Sequence, residues 1–379
     1  MNKHEKRNAC RRFNSIIVFV FIAFILFNIL RPLEDFSTLE NRYLKKISKP
    51  TVSEVLSGEF SGDIEEYTND RFFARNFLLK LKSKFEYALG KKENNGVIIC
   101  NDGSLIEKQK AYNEELVYKN CEDIITFTEK GGFNVLVSAI APAFEVRKES
   151  LPKNSYNDNA QKINSCIEKC FSGKNIKNVN PTELLRKHSE DYIYFKTDPH
   201  LTSNGGYVMY HALADALGYT TLSGDDFKIS DISREFLGEN YSKTLKKTTP
   251  DILVDYRPLE TPRFKVEFPA GGEEADSMYF PSHLIERNKY AYFLDGNHPL
   301  TIIKSPNKNG KTIAIVKDSY ANTVVPFIAN HFETIHMIDL KEFDGNAVQY
   351  IKLNNIEDVL ILCGLQNFNY ENSFEILKK

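Results

Sequence analysis

An excess of charge of either sign is missing from this chain. Its 49 Lys and Arg stand against 51 Asp and Glu, a formal net charge of -2. No global basic field therefore draws nucleic acid to it. There is no basic stripe interleaved with aromatics either, and Lys-rich stretches such as "KTLKK" read as solvated surface. Histidines with metal spacing are also missing. His211, His283, His298, His331 and His336 stand apart from one another, so no metal and no cofactor are expected. Of six cysteines, Cys10 precedes the long apolar run and five follow it. An odd number cannot all pair within one chain. Cys166 and Cys170 are four apart on one helix face, but no histidine pair is near, and free or buried thiols are the reading. There is no internal repeat and no low-complexity segment. At 42% hydrophobic and 26% charged, the 379 residues suffice for one large or two modest cores.

One long hydrophobic run is present. "FNSIIVFVFIAFILFNIL", residues 13 to 30, holds no charge, and Lys3, Lys6, Arg7, Arg11 and Arg12 precede it. That length suits a membrane-spanning helix, and the basic side is expected to stay in the cytoplasm. A cleaved signal peptide ends in small residues, whereas this run ends "FNILRPLED". The reading is an uncleaved signal anchor: a cytoplasmic tail over 1–12, a span over 13–30, and the remainder outside the cell membrane.

Residues 31–95 read as a linker and helices, with Phe73, Phe77, Leu78 and Leu81 at helical spacing. From 96 to 379 the pattern is α/β. "GVIICNDGSLIEK" is a hairpin signal. "FNVLVSAIAP", "KTIAIV", "TIHMIDL" and "DVLILCG" are apolar strands. Between and around them, helices are expected near 110–130, 158–171, "PTELLRKHS", 203–217 with Ser203 as N-cap, "SYANTVVPFIANHF" and "NAVQYIKLN". Such alternation predicts a mostly parallel sheet covered on both faces. Over about 220–305, runs such as "FKVEF" and "YAYFL" predict a small antiparallel insertion.

In doubly wound sheets ligands sit beyond the carboxyl ends of the strands. Two polar clusters fall at such places, "KDSY" at 317–320 and "GLQN" at 364–367; "KTDPH" at 196–200 also follows an apolar stretch, "DYIYF", so the three could meet at one sheet edge. Ser319, at a strand-to-helix turn, suits a nucleophile. His200 suits its base, Asp198 the group that orients the base, and Tyr320 with Gln366 or Asn367 the oxyanion and substrate contacts. Spacing alone fits equally a set of helix caps and an Asp-containing turn. An Nε2–Oγ separation far beyond about 4 Å would speak against the triad. Asp339 reads as a turn residue, His331 as a helix-end cap, and Arg71 and Arg75 as pairing residues.

The chain resembles the DHHW family of bacterial surface proteins. "ENRYL", "LSGEF", "DRFFAR", "GSL", "KYAYFLDGN", "KDSYAN" and "DVLIL" occur in the family's order. "DPHLT", Asp198 to Thr202, stands for its name-giving Asp-His-His-Trp-Thr motif. Pro199 replaces the first His and Leu201 the Trp, which leaves the shape of the substrate floor open. That family is similar to SGNH hydrolase-like proteins of alginate O-acetylation. There the Asp-x-His pair precedes the serine, the reverse of ordinary SGNH hydrolases, and "DVLILCGLQN" is similar to their Gly-x-Asn strand end.

The resemblance implies an SGNH-like (flavodoxin-like) fold and a serine-dependent O-acetyltransferase or acetylesterase acting on a cell-envelope polysaccharide. It also implies a membrane-bound O-acyltransferase as acetyl donor, since one span cannot carry acyl groups across a membrane. The other class is a non-catalytic surface scaffold or polysaccharide-binding protein with a degenerate triad.

Overall fold

The computed structural model describes residues 3–30, 32, 34–260 and 263–378. Residues 1 and 2 of the expected tail, 31 and 33 of the linker, 261 and 262 of the insertion, and 379 lie outside the described residues. The chain divides into two units, one up to Lys91 and one from Lys92.

The first unit begins with helix α1 (Lys3–Leu30), whose stretch Arg11–Asn28 is long and apolar enough to cross a membrane by length and composition. After a two-residue strand pair, Phe36–Ser37 with Arg42–Tyr43, come helices α2 (Glu59–Asp70) and α3 (Arg75–Ala88). The "ENRYL" and "DRFFAR" elements bind each other here. Asp70 is buried and accepts from Arg42 Nη1 and Lys45 N, each at 2.9 Å. Arg75 pairs with Glu40, and Arg71 donates to the Glu34 carbonyl at 3.0 Å.

The second unit opens with strands β1 (Val97–Ile99) and β2 (Leu105–Glu107), antiparallel about a turn in which Gly103 takes φ 82°. Helix α4 (Glu114–Gly131) starts at an Asn113 cap, whose side chain accepts from Leu116 N at 3.2 Å. Then follow β3 (Asn134–Ile140), α5 (Asn159–Phe171), β4 (Ile176–Asn178), α6 (Thr182–Lys187) and α7 (Ser203–Leu217). After these come β5 (Phe227–Phe236), β6 (Asp251–Pro258), β7 (Lys265–Glu267), β8 (Leu300–Lys304), β9 (Thr312–Lys317), β10 (Thr334–Asp339), α8 (Ala347–Leu353) and β11 (Asp358–Gly364).

Seven strands form one mixed sheet in the order β7-β8-β10-β9-β11-β3-β4. The five from β10 to β4 are parallel, and β8 and β7 run antiparallel at one edge. Counted from β9, through β10 and β11 and on to β3 and β4, the parallel strands have the flavodoxin-like order 2-1-3-4-5. The chain therefore starts this order at its fourth strand. That permutation puts a segment following the last parallel strand before the segment following the first.

Strand alternation sends Leu136, Ile313, Ile315, Leu360 and Leu362 into one core, with Met209 and Leu213 of α7. Val135, Val137, Ala314, Val316, Val359 and Ile361 face the other, with Ile124 of α4 and Ile163 of α5. Both faces are dry, which is why these strands read as continuous apolar runs.

Several local expectations are corrected. The insertion is antiparallel throughout but is not one sheet of its own: β5 pairs with β6 as a separate ribbon, while β7 and β8 extend the main sheet. "YAYFL" forms a 3-10 turn, Lys289–Tyr292, and not a strand. Helix α7 is capped by Thr202, whose Oγ1 accepts from Gly205 N at 3.3 Å, not by Ser203. "SYANTVVPFIANHF" breaks into Ser319–Thr323, Val325–Ile328 and Ala329–His331, because Pro326 and the β-branched run Thr323–Val325 oppose one continuous helix.

Candidate active site

The carboxyl ends of β3, β9, β10 and β11 open on a cavity of about 650 Å³ that Ile140, His200, Ser319, Leu340, Gly364 and Gln366 help to line. Between β9 and β11 the strand order reverses, the place where such sheets bind ligands. The "DPHLT" segment reaches this edge from beyond β4.

His200 Nε2 lies 2.7 Å from Ser319 Oγ, and His200 Nδ1 lies 2.6 Å from Asp198 Oδ1. Asp198 also accepts from the backbone N–H groups of His200 at 3.1 Å and Glu239 at 3.0 Å. Burial pushes the Asp198 carboxyl up, but the charge and hydrogen bond of His200 and the two N–H donors outweigh it and hold it below its usual range. Burial likewise opposes the imidazolium, yet Asp198 outweighs burial and raises His200 above its ordinary value. The pair thus favours Asp⁻ beside a basic imidazole whose other nitrogen faces a hydroxyl.

The glycine pair of "SNGGY" explains how segments 119 residues apart meet. A Cβ on Gly205 would stand 2.2 Å from the Ile193 carbonyl oxygen, and one on Gly206 2.2 Å from that of Thr323. Bare backbone at the start of α7 lets the chain leading to Asp198 and the turn after Ser319 close on it from two sides.

Asp318 governs the oxyanion side. Its carboxylate accepts from Tyr320 N at 2.9 Å, Gly364 N at 2.9 Å and Asn367 Nδ2 at 2.6 Å. The Asn367 amide also donates to the Gly364 carbonyl at 3.1 Å. Two expected oxyanion donors, the Tyr320 N–H and the Asn367 amide, are thus committed to Asp318. Burial raises the Asp318 pKa despite these donors. Gln366 lines the cavity, and its Oε1 is buried without a hydrogen-bond partner.

A family model described as DHHW protein matches residues 113–338, more than half of the chain. The chain belongs to the DHHW family. Among solved structures it is similar to a DHHW family protein from Eubacterium siraeum, with 25% identity and a TM-score of 0.65 over 76% of this chain and 96% of that one. It is also similar in fold to Bacillus cereus PatB1 solved with a sulfonyl adduct, with 20% identity and a TM-score of 0.62 over 74% of this chain and 97% of that one. A second PatB1 structure matches with 19% identity and a TM-score of 0.61 over 73% and 98%. No curated protein matches the chain.

The position where the DHHW motif has tryptophan proves to be core. Leu201 is fully buried among Ile193, Tyr194 and Met209 and is not among the residues lining the cavity, whereas Pro199 lines it. The Trp-to-Leu change therefore bears on packing, not on the cavity floor.

Sequence reasoning passed over Tyr290. Its ring stacks on His200 with centroids 4.1 Å apart and planes 14° apart, and its hydroxyl donates to the Ser319 carbonyl at 2.8 Å. The shared "KYAYFLDGN" element was the available signal. Asp339 pairs with Lys317 and caps Lys341 N, and it is not among the residues lining the cavity. His331 stacks on Tyr219 with centroids 4.5 Å apart and pairs with the Tyr210 hydroxyl; it is not a helix-end cap for carbonyls.

Proposed function

We propose that this DHHW protein is an SGNH-like serine O-acetyltransferase or acetylesterase, anchored by α1 with its α/β unit outside the cell membrane, acting on a cell-surface polysaccharide. The hydrogen-bonded path Asp198–His200–Ser319, whose last two members line the cavity, carries this reading. In it, His200 Nε2 takes the Ser319 Oγ proton as Oγ bonds to an acetyl carbonyl carbon. The imidazolium so formed is stabilised by Asp198 and by the Tyr290 ring, then returns the proton to the leaving oxygen of the donor. An acceptor hydroxyl, or water, gives its proton to His200 and attacks the acetyl-serine. The Oγ–carbon bond breaks and His200 reprotonates Ser319.

The Ser319 backbone N–H and the Gln366 amide are assigned to the oxyanion. Tyr320 and Asn367 act one step back, holding Asp318 and through it the Gly364 loop. Acetyl groups reach this side through a membrane-bound O-acyltransferase. Co-purification of such a protein with the detergent-solubilised full chain supports that partner, and full activity of the chain alone removes it.

The decisive experiment is covalent labelling. A fluorophosphonate, or a sulfonyl fluoride given the adduct found on PatB1, is expected to modify Ser319 in the full chain. Ser319→Ala, His200→Ala and Asp198→Ala are expected to suppress it. A folded wild type that resists every reagent, including an activated acetyl ester, would leave the non-catalytic scaffold as the reading.

A further inference from the structure

Helix α3 turns its apolar face outward. Phe77, Leu78, Leu81 and Phe85, with Leu89 just past its end, are 65%, 46%, 50%, 65% and 74% exposed. At 100° per residue these five fall within an arc of roughly 120°. Lys84 and Lys80 border the arc on one side and Lys82 on the other, all exposed. The inward side of the helix holds Ser83, 3% exposed. A helix that packs only within a soluble unit presents the opposite arrangement.

The start of α3 is tied to the end of the apolar helix. Phe73 N donates to Asn28 Oδ1 at 3.0 Å, and the Phe73 ring meets Phe27 edge-on with centroids 5.4 Å apart. Asn28 closes the membrane-length stretch Arg11–Asn28. Where α1 leaves the hydrocarbon, α3 begins two residues beyond Phe73.

We infer that α3 lies on the outer surface of the membrane that α1 crosses, with Phe77, Leu81 and Phe85 among the acyl chains and the flanking lysines at anionic headgroups. Apolar residues bordered by lysines whose long stems reach back to the headgroups are the chemistry of an interfacial helix. The lipid surface is favoured as occupant because the Phe27–Phe73 contact makes the apolar face continuous with the span. This inference rests on the anchoring proposed above, and the test separates the two.

The chain contains no tryptophan, so one introduced indole is the only one. Full-length Ile22→Trp and Leu81→Trp are reconstituted separately in phosphatidylglycerol–phosphatidylcholine vesicles carrying lipids brominated near the headgroup end of the acyl chain. Both are expected to emit blue-shifted light and to lose roughly half or more of it to bromine. Phe77→Glu with Phe85→Glu in the Leu81→Trp protein is expected to abolish that quenching while leaving it intact in the Ile22→Trp protein. If Ile22→Trp is quenched but Leu81→Trp emits as in water, the interfacial helix is wrong and the anchor stands. Blue-shifted but unquenched Leu81→Trp means that protein, a second copy or a partner, covers the face, which also overturns the inference. If neither is quenched, the anchor itself fails.

Discussion

Two buried pairs, each with one aspartate, stand at the cavity edge of this fold, and they differ in what their second member is left to meet. Lys317 and Asp339 pair at 2.9 Å, each side chain 2% exposed, with Asn297 Oδ1 at 2.7 Å and Asn322 Oδ1 at 3.2 Å also accepting from the ammonium. Nothing of that pair lines the cavity. Asp198 and His200 are nearly as buried, but one imidazole nitrogen looks out, past the pair, to a hydroxyl at the cavity. Burial and pairing are common to both. What separates them is one imidazole nitrogen left to meet a hydroxyl beside space for a ligand, the arrangement on which the proposed chemistry rests.

The sharpest way to test that difference is to cut each pair. Asp198→Asn removes the charge that holds the imidazole in its useful tautomer, so Ser319 labelling should fall roughly 10³- to 10⁴-fold, read as the second-order rate of fluorophosphonate modification. Lys317→Met should instead act on stability. It strands a buried carboxylate and should cost about 3–5 kcal/mol in urea unfolding, with most of it recovered by adding Asp339→Leu. Gly206→Ala should sit between these behaviours. A Cβ 2.2 Å from the Thr323 carbonyl oxygen forces backbone apart, costing about 1–3 kcal/mol and slowing labelling about 10²-fold through misplacement of Ser319. Gly224→Ala, where a Cβ meets nothing within 4 Å, should change neither.

The smallest effect is in pH. Only neutral His200 can accept the serine proton, and Asp198 raises its pKa. Labelling should therefore rise with pH to a midpoint above the ordinary histidine value of about 6.5, and Asp198→Asn should lower that midpoint. Stability runs the other way. A raised folded-state pKa means that the contribution of His200 is full below the unfolded value and is lost as pH rises through the folded one. The depressed Asp198 contributes above its unfolded pKa and loses that contribution as pH falls through its folded value.

Much of the α/β unit was legible because its strands are buried on both faces. "FNVLVSAI" and "DVLILCG" have no polar alternation to confuse them, and Asn113 and Gly132 punctuate α4 as caps should. The breakdown of "SYANTVVPFIANHF" was written in Pro326 but masked by an apolar pattern that a helix also satisfies. Tyr290 could not be ranked from spacing, since one tyrosine among 19 becomes special only by what it stacks against. Asn367 has the right residue type for an oxyanion donor, and only its partners reveal that Asp318 already holds it.

The order of residues by itself determined where polar groups interrupt apolar strands, and so that Ser319 and Gln366 follow strand ends; that Asp198 and His200 meet Ser319 was decided in three dimensions. It also determined the charge-free run and the lysine-bordered apolar face of α3, both periodic properties of local chain. Only the tertiary structure decided that β9 and β11 flank the reversal in strand order, and that two glycines admit two backbones. The same holds for Leu201 in the core and Lys317 closed in by its partners. Those depend on how separate segments come together in space, which local pattern does not encode.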